Sequence, residues 1–385
     1  MGYQQDQKKK NTEKILEIIH RTQGISRIDI ARELEIDRST VTSIVPSLLE
    51  KGILTEIQLK PTGKGGRPPL LLQINKDFGY TIGMELHLGK YHAALLNLNG
   101  EIVSVYHGAL PHEIFELGLN CKSILHHLEK QIVHSGIPII GAVIAISGTI
   151  DPINNTIDSS FVFQMEKYDF QKQISNHFTY PVFVENDANA CAWGELFPPW
   201  NRKHSSFLYL LARTTSYNMD QHIDTGMAIG IGVVANGYIL YGSHNQAGEL
   251  RSVFWKQTEG SRNQVSIPLK RLAKIHQDNG ILKEFVEEIL VTLSPVVSVI
   301  DPEAIIFGGD LKNDLPVIKE ILDGSLSENY LASEQNKYSL DTPEKGDEEI
   351  CAGAACMFLN RLFKQNYEHP LRKDMIAWDR IFQLV

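Results

Sequence analysis

The chain has 385 residues, 43% of them hydrophobic and 22% charged, and a formal net charge of −9. That length can bury a sizeable core and suggests two or three domains. Residues 1–75 hold 12 Lys+Arg against 9 Asp+Glu, a net of +3, which leaves −12 for the remainder. This excludes nucleic-acid binding by the acidic body, so any such contact falls to the N-terminal segment. Cys121, Cys191, Cys351 and Cys356 form no CxxC pair and no disulfide framework, which fits a reducing cytoplasm. The polar N-terminus lacks a signal-peptide apolar core, and no apolar run approaches the ~18 residues of a membrane span.

Residues 1–10 read as a disordered polar arm, and Ile15, Leu16, Ile18 and Ile19 as the apolar side of a first helix. Ser26 with Asp29 three residues on reads as a capping box, opening a helix with Ile30, Ala31 and Leu34 inward. After a tight turn at Glu35–Asp37, with Asp37 available as a cap, Val41, Ile44, Val45, Leu48 and Leu49 form one apolar stripe. The opposite face carries Arg38, Ser39, Thr40, Thr42, Ser43 and Ser47. Two short helices meeting this way predict a helix-turn-helix, whose second helix offers small hydroxyls and one Arg to the DNA major groove. The alternative is a helical packing module that touches no DNA. Pro46 predicts a bend near 42–46, since an interior proline removes a backbone hydrogen bond.

Residues 53–59 and 70–74 read as two strands joined by KPTGKGGRPP, a wing whose tip offers Lys64 and Arg67 to a minor groove. A solvated basic linker is the competing reading. Beyond residue 80 a strand-rich stretch ends at Asn99-Gly100, a predicted type I′ turn, and a similar unit recurs around Asn236-Gly237. The recurrence suggests a duplicated α/β body with two lobes. Residues 141–147 and 182–185 read as buried strands ending in polar residues, and ligands of open α/β sheets sit at such carboxyl ends. Ser147-Gly148 and Glu185-Asn186-Asp187 are therefore candidates for a small-molecule cleft. Residues 304–307 form a further strand, and helices at 351–363 and 375–384 close the chain, the latter as a dimer or lobe-packing element.

The chain resembles the ROK family (repressors, open reading frames and kinases), and within it the sugar-responsive branch typified by xylose and N-acetylglucosamine repressors. The resemblance rests on KGGRPP at 64–69, VENDANACAWGE at 184–195, GIGVVANGYILYGSHNQAGE at 230–249, DPEAIIFGGD at 301–310 and AGAA at 352–355. It implies a winged helix-turn-helix over 1–75 and a two-lobed, actin-like (ribonuclease H-like) domain over 76–385. Lobe one would span about 76–195 plus the C-terminal helix, and lobe two about 196–350.

Three family sites are altered. The kinase phosphate loop Asp-x-Gly-Gly-Thr is replaced by Glu85-Leu86-His87-Leu88-Gly89, and the second loop's Gly-Thr-Gly by Gly226-Met227-Ala228. Both changes argue against phosphoryl transfer, and so against an enzyme. The family's zinc-binding His and Cys run is absent after Gly248-Glu249, where Ser252 stands for the His, so neither metal nor cofactor is expected. Asn186, Asp187 and Glu249 match hydroxyl-binding positions of the sugar cleft, with His244 and Asn245 near it. Competing readings are a turn or helix cap for Asn186-Asp187, a surface carboxylate for Glu249 and a structural role for His244. The expected protein is a cytoplasmic repressor, a homodimer or tetramer on an operator, responding to a sugar or sugar phosphate. The alternatives are a sugar kinase with a DNA-binding arm and an effector-free regulator controlled by a protein partner.

Overall fold

A computed structural model describes residues 2–58, 70–87, 89–219, 222–256, 263–333, 337–364 and 376–384. Helix α1 (Gly2–Thr22) begins at the second residue, so the expected disordered arm is helical. Its Gln and Lys residues are good helix formers, and Lys9 pairs with Asp379 near the other end of the chain at 2.9 Å. Helix α2 (Arg27–Glu33) is capped by Ser26, whose hydroxyl accepts from the Asp29 N–H and donates to the Asp29 carboxylate. Glu35 takes a left-handed φ of 52° in the turn that follows. Helix α3 (Arg38–Glu50) has Asp37 at its N-cap position, but the side chain makes no capping bond. The helix continues a full turn past Pro46, which lies on its exposed side, rather than breaking there. Strands β1 (Leu54–Gln58) and β2 (Leu70–Ile74) pair antiparallel, and Ile25 bridges to Leu72 to complete the wing. Lys64 and Arg67 lie outside the described residues.

The first lobe is a five-stranded sheet ordered β10-β6-β3-β4-β5. Its strands are β3 (Tyr80–His87), β4 (Lys90–Leu96), β5 (Ile102–Ala109), β6 (Ile139–Ile146) and β10 (Val182–Asn186), with α4 (Leu117–Ile132) before β6. A small sheet of β7 (Thr149–Asp151), β8 (Thr156–Ser160) and β9 (Met165–Tyr168), then α5 (Phe170–Ile174), separates β6 from β10. Helix α6 (Asp187–Leu196) follows directly. The second lobe repeats the plan in the order β13-β12-β11-β14-β15. It contains β11 (Phe207–Met219), β12 (His222–Ala235), β13 (Tyr238–Ile239), α7 (Leu269–Leu272), α8 (Asn279–Ile300), β14 (Ala304–Gly309), α9 (Leu315–Asp323) and β15 (Ser339–Asp341). Helices α10 (Glu349–Phe363) and α11 (Trp378–Ile381) come last.

The two predicted hairpin turns differ. Asn236 and Gly237 both have positive φ, 52° and 78°, between the paired Ala235 and Tyr238, which is a two-residue type I′ turn. At the other site only Gly100 is left-handed, and the Asn97 side chain accepts from the N–H groups of Asn99 and Glu101. That Asx interaction closes a longer turn and shifts the register between Leu95 and Leu96, so the type I′ expectation fails there.

One apolar cluster runs from α1–α3 through α10 and α6 into β11. Helix α10 is buried along nearly its whole length and crosses close to α6. A Cβ at Gly353 would fall 2.0 Å from the Ala190 carbonyl oxygen, so the two backbones touch. Cys191, Cys351 and Cys356 lie buried on these two helices, and Cys121 on α4; all four thiols are free. The closing helix is shorter than predicted, and Met375 lies outside the described residues. Trp378 packs on Phe363 at 5.3 Å, and Phe382 packs on Phe78 and under Lys51, so this element ties the N-terminal helices to the first lobe.

His20 of α1 enters that junction. It is 1% exposed, lies flat on Phe363 at 3.7 Å, stacks on Phe197 and meets the edge of Trp200. The Leu98 backbone engages the ring, while Nε2 has no partner among the described residues, a defect that costs about 1–3 kcal/mol. Burial holds the imidazole down to about 3. Below pH 6.5 the unfolded chain therefore binds a proton that the folded chain refuses, and stability falls as pH falls through that window. Between pH 7 and 5 His20 accounts for a loss of about 2 kcal/mol. His20→Phe should flatten that part of the slope in urea titrations across this range; an unchanged slope would place the acid sensitivity elsewhere.

Candidate functional site

The parallel strands β6 and β10 bring Ser147-Gly148 and Asn186-Asp187 to the same sheet edge, where the strand pattern places them, and β3 adds Glu85 beside them. Where β11 passes the carboxyl end of β14, it presents Arg213 and Thr214, and Asp310 follows β14, all from the other lobe. Asn186 does two structural jobs. Its side-chain oxygen caps α6 by accepting from the Asn189 N–H at 3.0 Å, and its amide donates to the Gly148 carbonyl at 3.0 Å. The cap reading of this residue is therefore present in the fold, and it fixes where a hydroxyl-binding group would sit. Gly148 has φ +145°, and a Cβ there would lie 2.5 Å from the Ser159 carbonyl. The Ser147 carbonyl accepts from the Ser160 hydroxyl at 2.6 Å, so this corner is rigid.

Asp187 opens α6, half-buried at the cleft. Burial pushes its carboxyl up, with the Arg213 charge opposing and Glu85 reinforcing. Glu85 and Arg213 form an ion pair across the two lobes, and the Glu85 side chain is only 8% exposed. Thus the position matching the start of the family phosphate loop holds a carboxylate already engaged by a guanidinium. Sequence reasoning singled out Glu85 but missed its partner, because nothing in the local pattern around Arg213 announces a contact made by the fold. Beside it, the Thr214 hydroxyl lies 2.5 Å from Asp310 and 2.6 Å from His276 Nε2. Met227, in the second altered loop, is buried and points its sulfur to the Thr214 hydroxyl at 3.9 Å, so no hydroxyl stands there.

Behind this floor, buried Glu185 accepts from the Tyr241 hydroxyl at 2.7 Å and from Trp193 Nε1 at 3.3 Å. Its desolvation raises the carboxyl, and these donors counter the shift. Tyr241 belongs to the second lobe, so this is a second polar tie across the cleft.

Glu249 stands at the mouth, solvent-accessible, its carboxyl raised by partial desolvation and then by the charge of Asp187. His244 is exposed on the same loop, and Asn245 reaches Asp158 of β8 at 3.4 Å. Ser252 is 5% exposed and its hydroxyl accepts from the Phe254 N–H, so it serves a turn rather than facing the cleft. Its predicted place among effector contacts is corrected accordingly. Residues 250–264 contain neither Cys nor His, a donor set that does not fit a structural zinc. Gln264 holds the segment instead, its side chain bonding Ile229 N–H, Ile229 carbonyl and Leu250 carbonyl at 2.7–2.9 Å.

On the N-terminal unit, Arg38, Ser39, Thr42, Ser43 and Ser47 are exposed along one face of α3 and Thr40 half-buried. The Thr42 and Ser43 hydroxyls donate to the carbonyls of Arg38 and Thr40 at 2.8 Å, leaving their oxygens able to accept. Among the described residues no helix is long and apolar enough to cross a membrane.

Comparison with known proteins gives two family matches: "ROK family" over residues 81–252 and "Winged helix-turn-helix DNA-binding" over residues 8–55. The xylose repressor of Bacillus subtilis (strain 168) is 29% identical over 248 residues, 63% of this chain and 60% of that protein. The xylose repressor of Staphylococcus xylosus is 27% identical over 349 residues, 81% of this chain and 85% of the other. The match to the Bacillus relative thus spans under two thirds of its length. A crystal structure described as a ROK family transcriptional regulator, homologue of the E. coli MLC protein, superposes with a TM-score of 0.73. It covers 98% of this chain and 99% of its own at 17% identity, which is a likeness of fold.

The double role of Asn186 sets a stability prediction. Asn186→Ala should cost about 1–2 kcal/mol without any ligand, through loss of the cap and of the Gly148 tether. Chemical denaturation of the unliganded protein checks it, and an unchanged midpoint would mean that neither bond matters to the fold.

Proposed function

Since the chain carries a ROK family domain behind an N-terminal winged helix-turn-helix, we propose that it is a sugar-responsive DNA-binding transcriptional repressor. Residues 1–75 form the DNA-binding module and 76–385 the sensor, working as a cytoplasmic homodimer on a two-fold operator. The observation that carries this reading is one cleft with two characters. Its sugar side keeps Asn186, Asp187 and Glu249, an amide and two carboxylates suited to the paired hydroxyls of a polyol. Its phosphate side is taken by the Glu85–Arg213 pair and by buried Met227. His87 and Leu88 stand where the family loop has its two glycines, so backbone N–H groups are not free to cradle a phosphoryl group, and the domain binds without transferring phosphate. The effector is a small neutral sugar of the pentose class, in keeping with the xylose named in the relatives.

Ligand-dependent melting tests the sensor half. Xylose at 100 times its dissociation constant should stabilise the protein by about 2.7 kcal/mol. Asp187→Ala should abolish that shift while leaving DNA binding intact. ATP turnover with xylose should stay at background; sugar-dependent hydrolysis would restore the kinase reading. No shift with any free or phosphorylated sugar would favour control by a protein partner.

The DNA half has its own test. Arg38→Ala and Thr42→Ala should each weaken operator binding by about 1–3 kcal/mol and leave random-sequence DNA nearly untouched. Arg67→Ala should weaken both alike, as a wing contact to the backbone would. Equal losses on both DNAs for all three variants, read by fluorescence anisotropy, would remove α3 from base recognition.

A further inference from the structure

A sensor needs a joint through which its cleft reaches the DNA-binding helices, and one turn of α10 touches every moving part. Phe363, at the end of α10, stacks on His20 of α1 with the rings 3.7 Å apart and 1° from parallel. The next residue, Lys364, donates to the Gly237 carbonyl at 3.0 Å and lies 3.8 Å over the Tyr238 ring. Both partners belong to the type I′ turn of the second lobe. Glu17 of α1 lies within electrostatic reach of the same ammonium. Phe197 and Trp200, in the segment that leaves α6, and the Leu98 backbone of the first lobe close the site around His20.

The far ends of the same helices sit in the cleft. Helix α6 starts at Asp187 and ends beside Phe197, a span of about 15 Å. Helix α10 starts at Glu349, which accepts from the Gly309 N–H at 2.8 Å and from the Tyr209 hydroxyl, both of the second lobe. It ends about 22 Å away at Phe363. Gly353 lets the two backbones meet at Ala190, and because α6 lies on the second lobe and α10 on the first, this crossing is the pivot about which the lobes turn. A change in the angle between the lobes is therefore taken up at the ends of the pair. One end is the cleft and the other is the His20–Lys364 junction. His20 Nε2 has no hydrogen-bond partner among the described residues, so the junction holds one polar atom that this arrangement does not satisfy.

We propose that His20 and Lys364 form the coupling joint through which effector-driven lobe movement repositions the DNA-binding helices. Both act as positioning residues, touching neither effector nor DNA. The proposal rests on the reading of the cleft as an effector site, and two perturbations separate the failure of one from the failure of the other. The first is xylose; the second is Glu85→Gln, which weakens the ion pair between the lobes without any ligand.

Hydrogen–deuterium exchange on the full-length chain reads the start of α6 and the end of α1 in parent, Lys364→Met and His20→Phe backgrounds. Either perturbation should alter exchange at the α6 start in all three. In the parent, α1 exchange should also change, by about fivefold or more. In Lys364→Met and His20→Phe the α1 response should collapse below about twofold while the α6 response persists. His20→Phe keeps the stacked ring but removes the imidazole's bond to the Leu98 backbone of the first lobe, so it cuts the polar tie without unfolding the junction. Silence at α6 with xylose alone defeats the effector assignment, and the Glu85→Gln arm then decides the joint. An α1 response that survives in Lys364→Met and His20→Phe, or its absence in the parent under both perturbations, overturns the proposal.

Discussion

The distance between α6 and α10 is set by the absent side chain of Gly353, and much of the molecule is arranged around that approach. With the backbones in contact, α6 can lie against β11 and β12 of one lobe while α10 covers β3, β4 and β6 of the other. The same two helices carry Asp187 at one end and the docking site for α1 at the other. A β-carbon at this position would push the seam apart and disturb the cleft and the junction with the DNA-binding module together, since no independent element buffers one from the other.

The polar ties between the lobes are few and unequal. Glu85–Arg213 is a nearly buried ion pair whose separation would leave charges in a poorly solvated cleft, an outcome worth several kcal/mol against opening. Glu185 with Tyr241 and Trp193 is a hydrogen-bonded tie that is likewise costly to break without replacement. A polyol supplies hydroxyls that can take over such partners, which is a physical route by which a neutral ligand changes the balance between two lobe arrangements.

What could be read in the chain follows from the range of each signal. The capping box at Ser26, the apolar stripe of α3 and the strands at 139–146, 182–186 and 304–309 are local patterns, and each folds close to where it was expected. Local chemistry also misled. The polar composition of residues 2–10 concealed a helix held partly by an ion pair to Asp379, more than 350 residues away. Asn99-Gly100 carries the turn signature, but Asn97 captures the backbone first. Arg213, Tyr241, Gln264 and His20 earned no attention, because what each does is defined by partners on other elements. Pairing Glu85 with Arg213 joins residues 128 positions apart, and no periodicity encodes that.

The free cysteines have a use in this setting. Cys191, Cys351 and Cys356 sit on the two helices of the central seam, each at most 2% exposed. Burial lifts the Cys351 and Cys356 thiols to about 12 and 11 and raises Cys191 as well, so all three are protonated and poorly nucleophilic. An alkylating reagent can modify them only during moments when the helices part. The protein therefore carries an unlabelled clock for breathing of its own centre, readable by mass as adducts accumulate, with Cys121 on α4 as an internal reference remote from the seam.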